Sequence, residues 1–205
     1  MSKTYGVNDI FYSLQGEGVR AGTPNVFVRF SGCDMACDLL GGPKSPGGWR
    51  CDTEFVSHIP MTADAILERV AAIGGECHWV IFTGGEPALQ LDVPLVSMLH
   101  AAGYNLAIET NGGTNIDTLG LDWVCVSPKM AEHAIRQRMA HEVKYVRNYG
   151  QGIPKTVVEA AHHVISPAFD GEQVPTRTLA WCIALCRDNP PWRLSVQLHK
   201  IWQVR

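Results

Sequence analysis

The chain has 205 residues, 17 basic and 20 acidic side chains, a formal charge of −3 and seven cysteines. That length suits one sizeable α/β domain, and charges spread this evenly give no basic face for nucleic acid or membrane, so a small molecule is the expected partner. An odd, unevenly spaced set of cysteines behind a polar start argues against a disulfide scaffold and for a reducing cytoplasm, and no apolar run nears the roughly 20 residues that span a bilayer.

In chain order, Val7 to Leu14 reads as a strand running into the turn Gln15-Gly16-Glu17-Gly18. Two glycines around a carboxylate suit either a backbone that approaches a ligand closely or a plain glycine turn. Asn25 to Ser31 reads as a core strand in which Arg29 is out of place. A buried cation needs a partner, either a structural ion pair or the carboxylate of a substrate. Cys33, Cys37 and Cys51 follow. A structural zinc is closed by four ligands, whereas three protein ligands leave a position open for something that reacts, and thiolates suit iron-sulfur clusters. Residues 41 to 48 are glycine or proline except Lys44 and Ser45, marking an excursion at about 38–50 between the second and third thiols.

Thr62 is placed to cap a helix through Ile66, Val70 and Ile73, with His58, Cys77 and His78 as packing or surface groups. Trp79 to Phe82 is a short strand ending in Thr83-Gly84-Gly85-Glu86-Pro87, where glycines let backbone amides face a ligand and Glu86 can accept from an amine. A helix over about Val93 to Ala102 precedes the strand Leu106 to Ile108, which ends in Glu109-Thr-Asn-Gly112. The strand Trp123 to Val126 ends in Ser127-Pro-Lys129, and strands Glu142 to Val146 and His162 to Ile165 follow. A helix, Thr178 to Arg187, carries Cys182 and Cys186 as core groups; after Pro190-Pro191 a last strand runs from Arg193 to Leu198. Strands alternating with helices imply an α/β fold with a parallel sheet or barrel and a site at the carboxyl ends of the strands.

The motifs Leu14-Gln-Gly-Glu-Gly18, Arg29-Phe-Ser-Gly-Cys33, Cys51-Asp-Thr53, Thr83-Gly-Gly-Glu-Pro87, Glu109-Thr-Asn-Gly112, Val126-Ser-Pro-Lys129 and Gln197-Leu-His-Lys200 run nearly end to end. Together they resemble the radical S-adenosylmethionine (SAM) enzymes, and within them the 7-carboxy-7-deazaguanine synthases of queuosine biosynthesis. The resemblance implies an incomplete (β/α) barrel of fewer than eight strands, formed by residues 1–205 as one domain, and a homodimer. It implies a 4Fe-4S cluster on Cys33, Cys37 and Cys51, with the fourth iron left for SAM, whose reductive cleavage gives a 5′-deoxyadenosyl radical. Gly84, Gly85 and Glu86 would meet the methionyl amine, and Asn111, Ser127 and Lys129 the rest of SAM. The substrate would be 6-carboxy-5,6,7,8-tetrahydropterin, its carboxylate on Arg29 and its polar edge on Leu14, Gln15, Gly16, Glu17 and Thr83, with Arg205 on a tail folded over it. Thr53 would ligate Mg²⁺, and a flavodoxin or ferredoxin would supply electrons.

One departure concerns the thiols. The usual spacing is Cys-x3-Cys-x2-Cys, and in inserted variants a long gap follows the first cysteine; here the gap lies between Cys37 and Cys51, with Gly48 where the inserted variant has a thiol. Cys37 is therefore taken as the second ligand. Two other readings share some of these features: another radical SAM enzyme, such as a glycyl-radical activase, which would use Gly84 to Pro87, and a non-catalytic module with zinc on Cys33, Cys37, Cys51 and His58.

Overall fold

A computed structural model describes residues 3–35, 51 and 53–205. Cys37, the 38–50 excursion and Asp52 lie outside the described residues.

The chain begins with β1, Thr4–Leu14, and β2, Pro24–Phe30, which pair antiparallel. A short edge strand, β3 (Ile59–Thr62), pairs antiparallel with β1. Thr62 then caps α1, Ala63–Gly74, its hydroxyl accepting from Ala65 N at 3.2 Å, as its side chain and position predict. β4 (Trp79–Gly84), α2 (Val93–Ala101), β5 (Asn105–Thr110), β6 (Trp123–Val126), β7 (Met139–Arg147), β8 (Glu159–Pro167), α3 (Thr176–Asp188) and β9 (Trp192–Leu194) complete the sheet and its crossovers. The strand order is β3-β1-β2-β4-β5-β6-β7-β8-β9, parallel from β2 onward and not closed on itself.

One expectation needs correction, in the last strand. Among the described residues seven strands run parallel, fewer than the eight of a full barrel, and β1 with β3 extends them as an antiparallel flank. β3 gives a weak sequence signal because it is a four-residue edge strand containing Pro60, tolerable only where a ladder donor is not needed. The final strand stops at Leu194, and Leu198–Trp202 forms a helix, α4. Its first turn docks on the opposite end of the chain, where Leu198 N donates to Gly16 O at 2.9 Å.

Alternation along the strands separates two faces. Val26, Val28, Phe30, Val80, Phe82, Leu106 and Ile108 meet Ile66 and Val70 of α1 and Leu95, Val96 and Leu99 of α2 in the principal core. Val143, Tyr145 and Ile165 pack with Cys182 of α3 in a second cluster, so Cys182 is a core group. The opposite face carries a small apolar floor of Phe11, Phe27, Ile81 and Ala107. Two residues further along the same strands the side chains turn polar: Arg29, Thr83 and Glu109, joined by Ser127 and Lys144. That change puts the chemistry at the carboxyl edge. Among the described residues no helix is long and apolar enough to cross a membrane.

Candidate active site

A cavity of about 980 Å³ opens at this edge, large enough for two organic ligands side by side. Leu14, Gln15, Gly16, Glu17, Arg29, Cys33, Cys51, Thr53, Thr83, Gly84, Gly85, Glu86, Asn111, Ser127, Lys129 and Arg205 all line it. With Gln197 and His199, which also line it, residues from seven separate motifs are brought to one space; Cys37 lies outside the described residues.

The Gly84-Gly85 turn is explained first by packing. A Cβ on Gly85 would collide with the carbonyl of Gly32, and one on Gly84 with the backbone of Phe30, where φ is also +120°. The amides of Gly85 and Glu86 donate to Phe30 O at 2.9 Å and Gly32 O at 2.8 Å, so a ligand meets neither N–H. The expectation that these amides face a ligand is therefore corrected: they brace the loop that carries Cys33. Glu86 is 2% exposed and accepts from Ala88 N at 3.1 Å, Thr110 Oγ1 at 2.7 Å and Asn111 N at 2.7 Å. Burial raises its pKa, and these three bonds only partly oppose that. Asn111 carries the brace further, donating from Nδ2 to Asp34 Oδ1 at 2.9 Å beside Cys33. Cys33 accepts from Met35 N at 3.5 Å, and Cys51 is exposed beside Thr53.

Arg29 lines the cavity wall. No carboxylate pairs with it among the described residues; its buried Nε has no hydrogen-bond partner, and its guanidinium lies 5.2 Å from the Phe11 ring. A cation on a cavity wall with a buried, unpartnered Nε is suited to an anionic group of a ligand. Arg205 approaches the same ring at 4.9 Å while paired with Asp9, and its carbonyl accepts from Ser13 Oγ at 2.7 Å. The end of the chain is thus strapped along β1. Lys129 donates to Ser127 Oγ at 2.7 Å.

The polar floor holds residues that sequence reading passed over. Lys144, 7% exposed, lies 2.6 Å from Glu17 and 3.0 Å from Glu109. Gln15 Nε2 donates to Glu109 at 3.1 Å and Gln197 Nε2 to Glu17 at 2.8 Å. Burial would raise the Glu17 pKa, but Lys144 and Gln197 overcome it and bring it down to about 2. His199 of α4 packs so closely on Gly16 that any Cβ there would strike its ring. The glycine of the first turn is required by that contact.

No family model matches the chain. It is 40% identical to 7-carboxy-7-deazaguanine synthase of Burkholderia multivorans, covering 98% of this chain and 99% of that one. It is 38% identical to the protein of the same name from Bradyrhizobium diazoefficiens, covering 98% and 100%. The fold matches the crystal structure of QueE from Escherichia coli with a TM-score of 0.69 at 22% identity, over 95% of this chain and 94% of that one. Near-complete mutual coverage at this identity, on a cavity that gathers every motif in its described part, has one consequence: the chain belongs to the 7-carboxy-7-deazaguanine synthase family.

Proposed function

We propose that the cavity converts 6-carboxy-5,6,7,8-tetrahydropterin into 7-carboxy-7-deazaguanine with loss of ammonia, as a radical SAM carbon-nitrogen lyase of queuosine and related 7-deazapurine synthesis. One observation carries the substrate assignment: a guanidinium whose buried Nε has no partner and a floor of two carboxylates on one lysine share one cavity with two cysteine thiols.

The donor set fits the cofactors. Cys33 and Cys51 supply thiols to the cavity wall, and with Cys37 they would hold a 4Fe-4S cluster with one iron left for SAM. When bound, the cluster and SAM supply the one-electron chemistry that starts the reaction. Asn111, Ser127 and Lys129, with the Gly84 to Glu86 turn, would hold SAM, and Thr53 would ligate Mg²⁺ with substrate oxygens and water. Arg29 binds the substrate carboxylate, while Glu17 accepts from the aminopyrimidinone edge, fixed by Gln15, Gly16 and the neighbouring Leu14 and Thr83. Arg205 closes the site from the strapped tail. The enzyme is a cytoplasmic homodimer that draws electrons from a flavodoxin or ferredoxin and binds neither nucleic acid nor membrane.

The test is anaerobic reconstitution with iron and sulfide, then incubation with SAM, a reductant and the carboxypterin. Accumulation of 7-carboxy-7-deazaguanine is expected. Turnover of a peptide substrate instead would favour a glycyl-radical activase, and colourless protein holding stoichiometric zinc would support a structural module.

A further inference from the structure

Lys144 projects from β7 between two carboxylates that reach it from distant parts of the chain, Glu17 after β1 and Glu109 at the end of β5. Each carboxylate uses one oxygen on the ammonium and the other on a glutamine amide, Gln197 for Glu17 and Gln15 for Glu109. Two half-buried carboxylates that share one ammonium lie within like-charge range of each other, and removing the cation leaves that repulsion unopposed between them. A protonated carboxyl presents a donor where the aminopyrimidinone edge of a pterin also presents donors.

We propose that Lys144 is a positioning residue: bonded to Glu17 and Glu109 at once, it offsets their mutual repulsion and fixes their separation, so that both can accept from the N–H groups of the substrate's aminopyrimidinone edge. This rests on the pterin reading above. Lys144 is the cation bonded to both carboxylates; Arg20 also acts on Glu109 and Glu142 through space, its own guanidinium bonded to Asn25 at 2.8 Å. Burial lowers its pKa, but Glu109 and Glu17 carry it well above the ordinary lysine value, so it neither donates nor accepts protons near neutrality. The Cys125 thiol facing it from β6 is pushed up by burial and is neutral. Glu142, on its own strand, is also pushed up by burial, then by Glu109, and His199 faces Glu17 from α4. With two carboxylates and one ammonium the trio carries a charge of −1.

The experiment uses reconstituted protein and compares wild type with Lys144→Met, Lys144→Arg and Lys144→Met/Glu109→Gln, the last restoring the charge of −1. Substrate binding is measured with SAM omitted, and kcat, KM and the pH profile with SAM present. Lys144→Met should weaken binding and raise KM on the order of 30-fold while kcat changes less than about threefold. The acid limb of its kcat/KM profile should move up by about one pH unit or more, because loss of the cation raises a carboxyl pKa. Lys144→Arg should keep the wild-type limb. The double variant, whose balanced charge favours folding even if the single variant does not fold, should bring the limb part of the way back, because the like-charge repulsion is gone while burial still acts on Glu17, yet bind at least about tenfold more weakly than wild type. Wild-type KM and acid limb in Lys144→Met, or wild-type affinity in the double variant, would overturn the role of Lys144 alone. A wild-type protein that neither binds nor turns over the carboxypterin removes the substrate reading, and this inference with it.

Discussion

Arg29 spends its folded life without a partner for Nε, a cost that a purely structural arginine would avoid by pairing. The cost is explained if a carboxylate arrives with the substrate, since a guanidinium holds a carboxylate by two parallel hydrogen bonds. Replacing Arg29 by Met should therefore lower kcat/KM by roughly 100-fold, about 2.7 kcal/mol at the transition state. The folded state should lose nothing: the melting midpoint is expected within about 2 °C of wild type, because no pair is broken and a buried unpaired polar atom is removed. A large drop in the midpoint alongside the lost activity would show instead that Arg29 holds the fold. Arg29 was legible in the sequence because a cation in an apolar strand stands out. Lys144 was not, since its strand also carries Glu142 and reads as an ordinary alternating run. Its partners lie 127 and 35 positions away, beyond any local pattern.

At the scale of elements, the turn after β4 is a bracket rather than a bare cradle. Gly85 N and Glu86 N hold the end of β2 and the first residue before Cys33, while Glu86 and Asn111 tie the end of β5 to the same loop. Gly85→Ala places a methyl group against the Gly32 carbonyl, a rigid backbone contact with no flexible side chain to yield. The variant should lose about 3 kcal/mol of stability, read by denaturant midpoint. It should also bind less iron per chain on reconstitution, because the Cys33 loop loses its support. Unchanged iron content at reduced stability would separate the bracket from the cluster site. The glycines were visible in the sequence, but their reason was not: the spacing suggested amides turned to a ligand, and only the register of β2 against β4 shows those amides occupied. The long strands were read from their apolar runs. β3 and α4 were missed because each is short and owes its shape to docking on the first strand and the first turn.

Across the whole molecule, the elements that make the fold and those that would hold the cofactor are separate. The principal core is built from β1, β2, β4, β5, α1 and α2, the second from β7, β8 and α3, and neither includes Cys33 or Cys51. Both thiols sit beyond the strand ends, where Gly32 N already donates to Phe55 O, Gly32 O accepts from Glu86 N and Phe30 O accepts from Gly85 N. A small zinc domain behaves otherwise, because the metal there supplies the folding free energy and its removal unfolds the chain. Here removal of iron should leave a folded protein. Cluster-free chain should keep its far-ultraviolet circular dichroism and melt in one cooperative step. A ligand present at 100 to 1,000 times its dissociation constant stabilises by about 3 to 4 kcal/mol, and for a chain of this size that lowers the midpoint of the cluster-free form by about 10 °C. Collapse of the dichroism on chelation, or a melt without a transition, would mean that the thiols organise the sheet and that the carboxyl edge is not preformed.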